Sequence, residues 1–188
     1  MTNPFYTPLD EILFSSRIIQ INGGVNSSLA HQINQQIIAM SITDPKKPIY
    51  LHVNSPGGEV TSGFSIFDTA RYVQPEIYTI VVGLAASMGS VISLAAKPEN
   101  RLAFPNSKFL IHQPLVPSTI FGQASDLEIH ARDIIRTRQK INELYAKETG
   151  KSIEVVSKDT ERDYWMVPEE AKAYGLISRI ITSIDEVK

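Results

Sequence analysis

Twenty consecutive residues from Ile77 to Ala96, IYTIVVGLAASMGSVISLAA, carry no charge. The run is long enough to cross a bilayer as a helix, but its composition argues otherwise. Its first part is β-branched and aromatic, which suits a strand, and Gly83, Ser87, Gly89, Ser90 and Ser93 break the lipid-facing character of its second part. A buried strand running into a buried helix is the reading that accounts for it, with GLAASMGS as the turn between them. No membrane segment is expected.

The rest of the chain repeats that pattern. Short runs rich in Ile, Val and Tyr alternate with segments of helical period, so the fold class is α/β, built of stacked β-α units around a largely parallel sheet. A strand over Arg17 to Ile21 ends at Gly23-Gly24. Asn26-Ser27-Ser28 caps a helix to Met40 with Leu29, Ile33, Ile37 and Met40 on one stripe. The next strand, Ile49 to Val53, stops at Asn54-Ser55-Pro56-Gly57-Gly58, and a helix runs from about Val60 to Val73. The strand Ile77 to Val82 leads through GLAASMGS into a helix to about Ala95. Strands at Arg101 to Phe104 and Lys108 to Ile111 precede His112-Gln113-Pro114. The segment Leu115 to Gly122 has no readable period.

Ser125-Asp126-Leu127-Glu128 has the form of a capping box and opens a helix reaching Thr149. Leu127, Ala131, Ile134, Ile141 and Tyr145 share one face of it, while the other faces are charged, as in a helix that projects from the body. Helices near Ile153 to Thr160 and Pro168 to Tyr174, the latter closed by Gly175, lead to a last strand about Ile177 to Ile181. The 188 residues are read as one domain.

Composition narrows the chemistry. With 18 Lys and Arg against 20 Asp and Glu, no cationic field exists to hold nucleic acid or an anionic membrane. The absence of cysteine excludes thiol nucleophiles, disulfides and thiolate zinc sites, leaving hydroxyl, carboxylate, imidazole or amine chemistry. The start, MTNPFYTPLDE, lacks a basic region followed by an apolar one, so a cytoplasmic protein is expected. Thr149-Gly150-Lys151-Ser152 imitates the end of a P-loop, but Tyr145 stands where its first glycine is needed and the motif follows a helix, so no nucleotide site is expected.

Two turns remain as candidates. Ser87 falls where a strand becomes a helix, at the strand's carboxyl end, the place where open α/β sheets put active sites. The turn resembles a nucleophile elbow without matching G-x-S-x-G, and a serine cap in a tight core is the competing explanation. Ser55-Pro56-Gly57-Gly58 ends the preceding strand, and paired glycines there let backbone N–H groups face an anionic oxygen. Neighbouring parallel strands would set the two turns side by side, giving a nucleophile and an oxyanion hole. For a base, His31 and His130 lie in helices and His52 lies mid-strand, so His112 at a strand's end is best placed. Spacing leaves the orienting carboxylate open among Asp126, Asp133, Asp159 and Asp163.

Several stretches, in order, resemble the ClpP family, the proteolytic subunits of the Clp protease, from about Pro8 to Thr182. They are VNSPGGEVTSGFSIFDT (53 to 69), GLAASMGS (83 to 90), PNSKFLIHQP (105 to 114), GQASDLEIHARDI (122 to 134) and DTERDYWMVPEEAKAYGLI (159 to 177). The resemblance implies a crotonase-like fold and a serine endopeptidase in which Ser87 is the nucleophile, His112 the general base and acid, and Asp163 the orienting carboxylate. It further implies that the N–H groups of Gly58 and Met88 form the oxyanion hole.

It also implies a double heptameric ring joined through a handle region of about 115–149, with residues 1–8 as a short axial segment. An AAA+ unfoldase of the ClpX, ClpA or ClpC kind would spend ATP and deliver unfolded polypeptides. The chain itself would need no cofactor and no metal. Some positions depart from the family pattern: Leu84 replaces a common glutamine, Leu115 to Phe121 is longer than usual and lacks Gly-Gly after HQP, and His52 beside Tyr50 replaces an aromatic of the docking surface. These departures raise the expectation of a mixed complex with a second ClpP isoform. Two rival readings are a catalytically weak or structural ring subunit, and an acyl-CoA hydratase or isomerase of the crotonase type.

Overall fold

The computed structural model describes residues 8–115 and 122–187. The elements are α1 (Pro8–Ser15), β1 (Ile18–Asn22), α2 (Ser27–Thr43), β2 (Ile49–Ser55), α3 (Val60–Tyr72), β3 (Ile77–Ala86), α4 (Met88–Ser93), β4 (Arg101–Ala103), β5 (Lys108–Ile111), α5 (Ala124–Thr149), α6 (Ile153–Asp159), β6 (Tyr164–Met166), α7 (Pro168–Tyr174) and β7 (Arg179–Ile180). The expected α/β class is what forms. The short axial segment expected over 1–8 lies almost wholly outside the described residues, as does most of the segment from Leu115 to Gly122.

A seven-stranded sheet runs β1-β2-β3-β4-β7, and β5 pairs with β3 further along while β6 pairs with β5. Every pairing is parallel except β5 with β6. The core lies between the sheet and its helices: Ile19, Ile21, Ile49, Leu51 and Val53 alternate inward and are fully buried, meeting Ile33, Ile37, Met40 and Ile66 of α2 and α3. Burying each such side chain contributes roughly 1.5–3 kcal/mol. The opposite face of β2 and β3 carries Tyr50 and Tyr78, their rings tilted against each other with centroids 5.3 Å apart, over a smaller cluster of Ile80, Leu102, Ile181 and Val187.

Most expected elements form within a residue or two, and the departures have physical causes. β3 is longer than periodicity indicates because it changes partner: Thr79 to Val81 pair with β4, then Leu84 to Ala86 pair with β5. This second partnership carries the strand through small residues that local propensity would not call a strand. The expected capping box at Ser125 does not form. α5 starts two residues earlier, with Gln123 at the cap position and no side-chain capping bond. Along the stripe expected on α5, Ile141 and Tyr145 are buried but Leu127 and Ala131 are exposed, so only the last turns dock on the body. The helix α1 and the strand β6 have no counterpart among the elements expected from sequence.

Arg17 shows how polar groups enter this core. It takes a positive φ of 60° at the entry to β1, and its guanidinium donates to the carbonyls of Pro48, Met40, Asp44 and Lys47. These acceptors close the carboxyl end of α2 and the turn after it.

Candidate active site

The two glycine-bearing turns meet at the ends of β2 and β3. A Cβ added to Gly57 would lie 2.7 Å from the carbonyl oxygen of Ala86, 2.7 Å from Ser87 Cβ and 2.8 Å from the Met88 nitrogen. One added to Gly89 would lie 2.7 Å from the Ser55 carbonyl oxygen. Glycine is therefore required here by contact between the turns, with conformational freedom at Gly57 (φ +89°) as a second demand. The Ser55 hydroxyl, which donates to Gly23 O at 2.6 Å and accepts from the Gly57 N–H at 3.1 Å, fastens the turn.

Gly58 forms a parallel bridge with Val25: the Val25 N–H donates to Gly57 O at 2.7 Å and the Glu59 N–H donates to Val25 O at 2.8 Å. In such a bridge the central residue's own N–H points to the other side, here the side of Ser87. Among the described residues, neither the Gly58 N–H nor the Met88 N–H donates a hydrogen bond. Met88 is the first residue of α4, where the helix supplies no acceptor.

Ser87 occupies the cap position of α4, yet its side chain makes no capping bond, and among the described residues its hydroxyl has no hydrogen-bond partner. That disposes of the cap explanation. Its backbone (φ 52°, ψ −122°) is held in a conformation that costs a non-glycine residue about 1–3 kcal/mol. Ser87 N–H donates to Leu110 O at 2.9 Å, and Ser87 O accepts from the N–H groups of Ser90 (3.0 Å) and Val91 (3.2 Å) and from the Ser90 hydroxyl (2.6 Å).

Register brings the remaining groups alongside. Ala86 pairs with Leu110 and Ile111 pairs with Tyr164, so Ser87, His112 and Asp163 stand at neighbouring ends of β3, β5 and β6. The last of these strands runs antiparallel, which lets its first residues join the carboxyl ends of the other two. His112 Nδ1 is 3.0 Å from Asp163 Oδ1, with the imidazole 12% and the carboxylate 61% exposed. The Gln113 N–H donates to Thr160 O at 2.6 Å and its side-chain amide donates to Glu161 O at 2.8 Å, pinning the two segments together. A cavity of about 400 Å³ opens beside them, lined by His112, Gln113, Leu115, Glu161, Arg162 and Asp163. With Nδ1 engaged by Asp163, His112 has only Nε2 free to serve a hydroxyl; no hydrogen bond joins it to Ser87 among the described residues. Catalytic hydrogen bonds commonly tighten only with substrate bound.

Of the other carboxylates left open by spacing, Asp159 accepts from the Tyr174 hydroxyl at 3.0 Å, and Asp126 and Asp133 lie exposed on α5. Of the other histidines, His31 and His130 are exposed on helices, and His52, half-buried on β2, has its pKa lowered by that burial. Sequence reasoning missed Asn54. Its Oδ1 accepts from the Leu84 N–H at 3.1 Å where the β2–β3 register shifts, and a Cβ on Gly83 would come within 2.6 Å of that oxygen. An asparagine at a strand's end before Ser-Pro-Gly-Gly was the available signal. Among the described residues no cluster of His, Asp or Glu has the makings of a metal site, and no helix is long and apolar enough to cross a membrane.

This arrangement, an unpaired hydroxyl on a strained turn, an imidazole held by a carboxylate and two idle N–H groups, can perform acyl transfer. The family model for Clp protease matches residues 5–184. The chain belongs to the Clp protease family. It is 42% identical over 180 residues to ATP-dependent Clp protease proteolytic subunit 1 of Protochlamydia amoebophila (strain UWE25), covering 96% of this chain and 87% of that one. It is 46% identical over 175 residues to proteolytic subunit 3 of Rhizobium meliloti (strain 1021), covering 93% and 88%. The solved structure of a ClpP1 mutant from Listeria monocytogenes superimposes with a TM-score of 0.87 at 38% identity, covering 96% of this chain and 99% of that one. As a Clp protease proteolytic subunit the chain is a serine endopeptidase, and nothing favours the hydratase or structural-subunit alternatives.

Proposed function

We propose that peptide hydrolysis by this Clp protease subunit runs through Ser87 as nucleophile, His112 as general base and acid and Asp163 as the orienting carboxylate, with the Gly58 and Met88 N–H groups as oxyanion hole. The observation that carries the assignment is the register of β3, β5 and β6, which sets the three side chains at adjacent strand ends. His112 Nε2 takes the Ser87 proton as Oγ attacks the scissile carbonyl. The two N–H groups stabilise the tetrahedral oxyanion, His112 returns the proton to the leaving amine, and water releases the acyl group by the reverse sequence. Asp163, bonded to Nδ1, keeps the ring in the tautomer this requires.

The family also supports a finer picture: a cytoplasmic double heptameric ring with the sites facing an interior chamber, α5 joining the rings, and unfolded chains supplied by an AAA+ unfoldase that spends ATP. Leu84 and the atypical segment after His112-Gln113-Pro114 support a further element, a ring mixed with a second ClpP isoform. A fluorophosphonate probe followed by mass spectrometry of the intact particle tests these together. The expected product is one adduct per chain, on Ser87, in a fourteen-subunit particle, and an S87A protein that neither labels nor cuts. S87A cleavage at the parent rate would refute the assignment, and full activity with unfoldase docking by the lone chain would remove the second isoform.

A further inference from the structure

The base of α5 reaches the nucleophile's backbone through two buried side chains. Tyr145 is fully buried, and its hydroxyl lies 2.6 Å from Ser90 Oγ. Ser90 Oγ in turn lies 2.6 Å from the Ser87 carbonyl oxygen. A serine hydroxyl has one proton, and a carbonyl oxygen can only accept, so Ser90 donates to Ser87 O. The proton between Tyr145 and Ser90 then belongs to Tyr145, and the chain has one direction: Tyr145 O–H to Ser90 Oγ, Ser90 O–H to Ser87 O. Burial pushes the Tyr145 phenol well above its ordinary range and outweighs the opposing effect of the Ser90 hydrogen bond, so the donor stays protonated across the working pH range.

The Ser87 carbonyl and the Met88 N–H belong to the same planar peptide and point in opposite directions. Whatever fixes the one aims the other. We infer that Tyr145, acting through Ser90, is a positioning residue that holds the 87–88 peptide in the plane where the Met88 N–H faces the developing oxyanion. This rests on the assignment of Ser87 and Met88 under Proposed function. Two backbone donors, Ser90 N–H and Val91 N–H, also reach Ser87 O, but they are the opening bonds of α4 and follow the helix. The hydroxyl relay ties that carbonyl to a separate element. A strained peptide, which Ser87 begins, needs such over-determination to persist.

The test compares Y145F, S90A and Y145F/S90A in the assembled particle with the parent. Y145F keeps the ring and removes only the terminal donor, so it preserves packing. Expected is a roughly fivefold fall in kcat, the effect of about one neutral hydrogen bond, with KM unchanged. A peptide aldehyde, which presents a tetrahedral oxyanion, is expected to bind Y145F weaker by the same factor, while a cleaved product peptide binds as before. S90A is expected to lose more, and the double variant no more than S90A, because Tyr145 works only through Ser90.

Unchanged kcat and aldehyde affinity in Y145F would overturn the inference. So would losses in the double variant equal to the product of the single ones, or a loss that vanishes when rates are taken per serine labelled by fluorophosphonate. S87A, run alongside, separates the premises: an active S87A overthrows the catalytic assignment, whereas a dead S87A beside a fully active Y145F overthrows only the relay.

Discussion

The ring nitrogen Nδ1 of His112 and the oxygen Oδ1 of Asp163 are 3.0 Å apart, although 51 residues separate them in the chain. The carboxylate is 61% exposed, so solvent screens part of its effect on the imidazole. Asp163→Asn is expected to lower kcat about a hundredfold, less than the roughly ten-thousandfold loss found where a triad carboxylate is buried. Steady-state cleavage of a fluorogenic peptide checks this, and an unchanged kcat would remove Asp163 from the mechanism.

Gly57→Ala places a methyl group 2.7 Å from Ser87 Cβ and 2.8 Å from the Met88 nitrogen. Separating the turns by even a few tenths of an ångström disturbs at once both N–H groups proposed as oxyanion donors. Fluorophosphonate labelling is expected to slow by about a hundredfold or more. Gly23→Ala is the control: its φ of +82° is unfavourable for alanine, but nothing lies within 4 Å of the added Cβ. That variant should lose about 1 kcal/mol of stability and label at the parent rate.

Glu148 accepts from Arg71 at 2.8 Å and from Arg101, and its side chain is 7% exposed. Burial alone would push its carboxyl up, but the two guanidinium groups overcome that and hold it below its ordinary value. A folded-state pKa below the unfolded one adds stability that is complete above the ordinary carboxylate range and lost as pH falls through the depressed value. Glu148→Gln leaves Arg101 buried without its ion-pair partner. It should cost about 3 kcal/mol at neutral pH and flatten the acid limb of the stability curve. Urea midpoints across pH measure both, and coincident curves would show that the network contributes nothing.

Leu127, Ile129 and Ile135 are 41%, 64% and 54% exposed on the projecting part of α5. If that part joins two rings, an aspartate in place of Ile129 must be desolvated on assembly. Ile129→Asp is expected to halve the particle mass by native mass spectrometry. A full-mass particle would place the ring junction elsewhere.

How much of this is readable from the sequence varies with the range of the interaction. The class of fold, and the two candidate turns at Ser87 and at Gly57-Gly58, follow from local pattern, because turns and alternation are encoded over a few residues. Asp163 needed the family, since its place depends on β6 pairing backwards onto β5, and Tyr164-Trp165-Met166, although its aromatics favour a strand, is too short a run to be read as one. The capping box at Ser125 misled because a serine with a glutamate three residues on has the same form inside a first turn as at its cap. Tyr145 was legible as an apolar stripe position and illegible as a donor. Its hydroxyl acquires a role only when a second helix, remote in the chain, sets Ser90 against it.

The contact between Tyr145 and Ser90 gives the molecule an unequal load path. The long arm of α5 is inserted in the chain between base and carboxylate, so a tug on it has two covalent routes into the triad. At its root, however, Tyr145 already holds Ser90, whose hydroxyl donates to the Ser87 carbonyl, while Glu148 is braced against two arginines. Under the proposed assignment, a disturbance arriving along the arm therefore meets a hydrogen-bonded path to the attacking residue at the root of the arm, from Tyr145 through Ser90 to the Ser87 carbonyl.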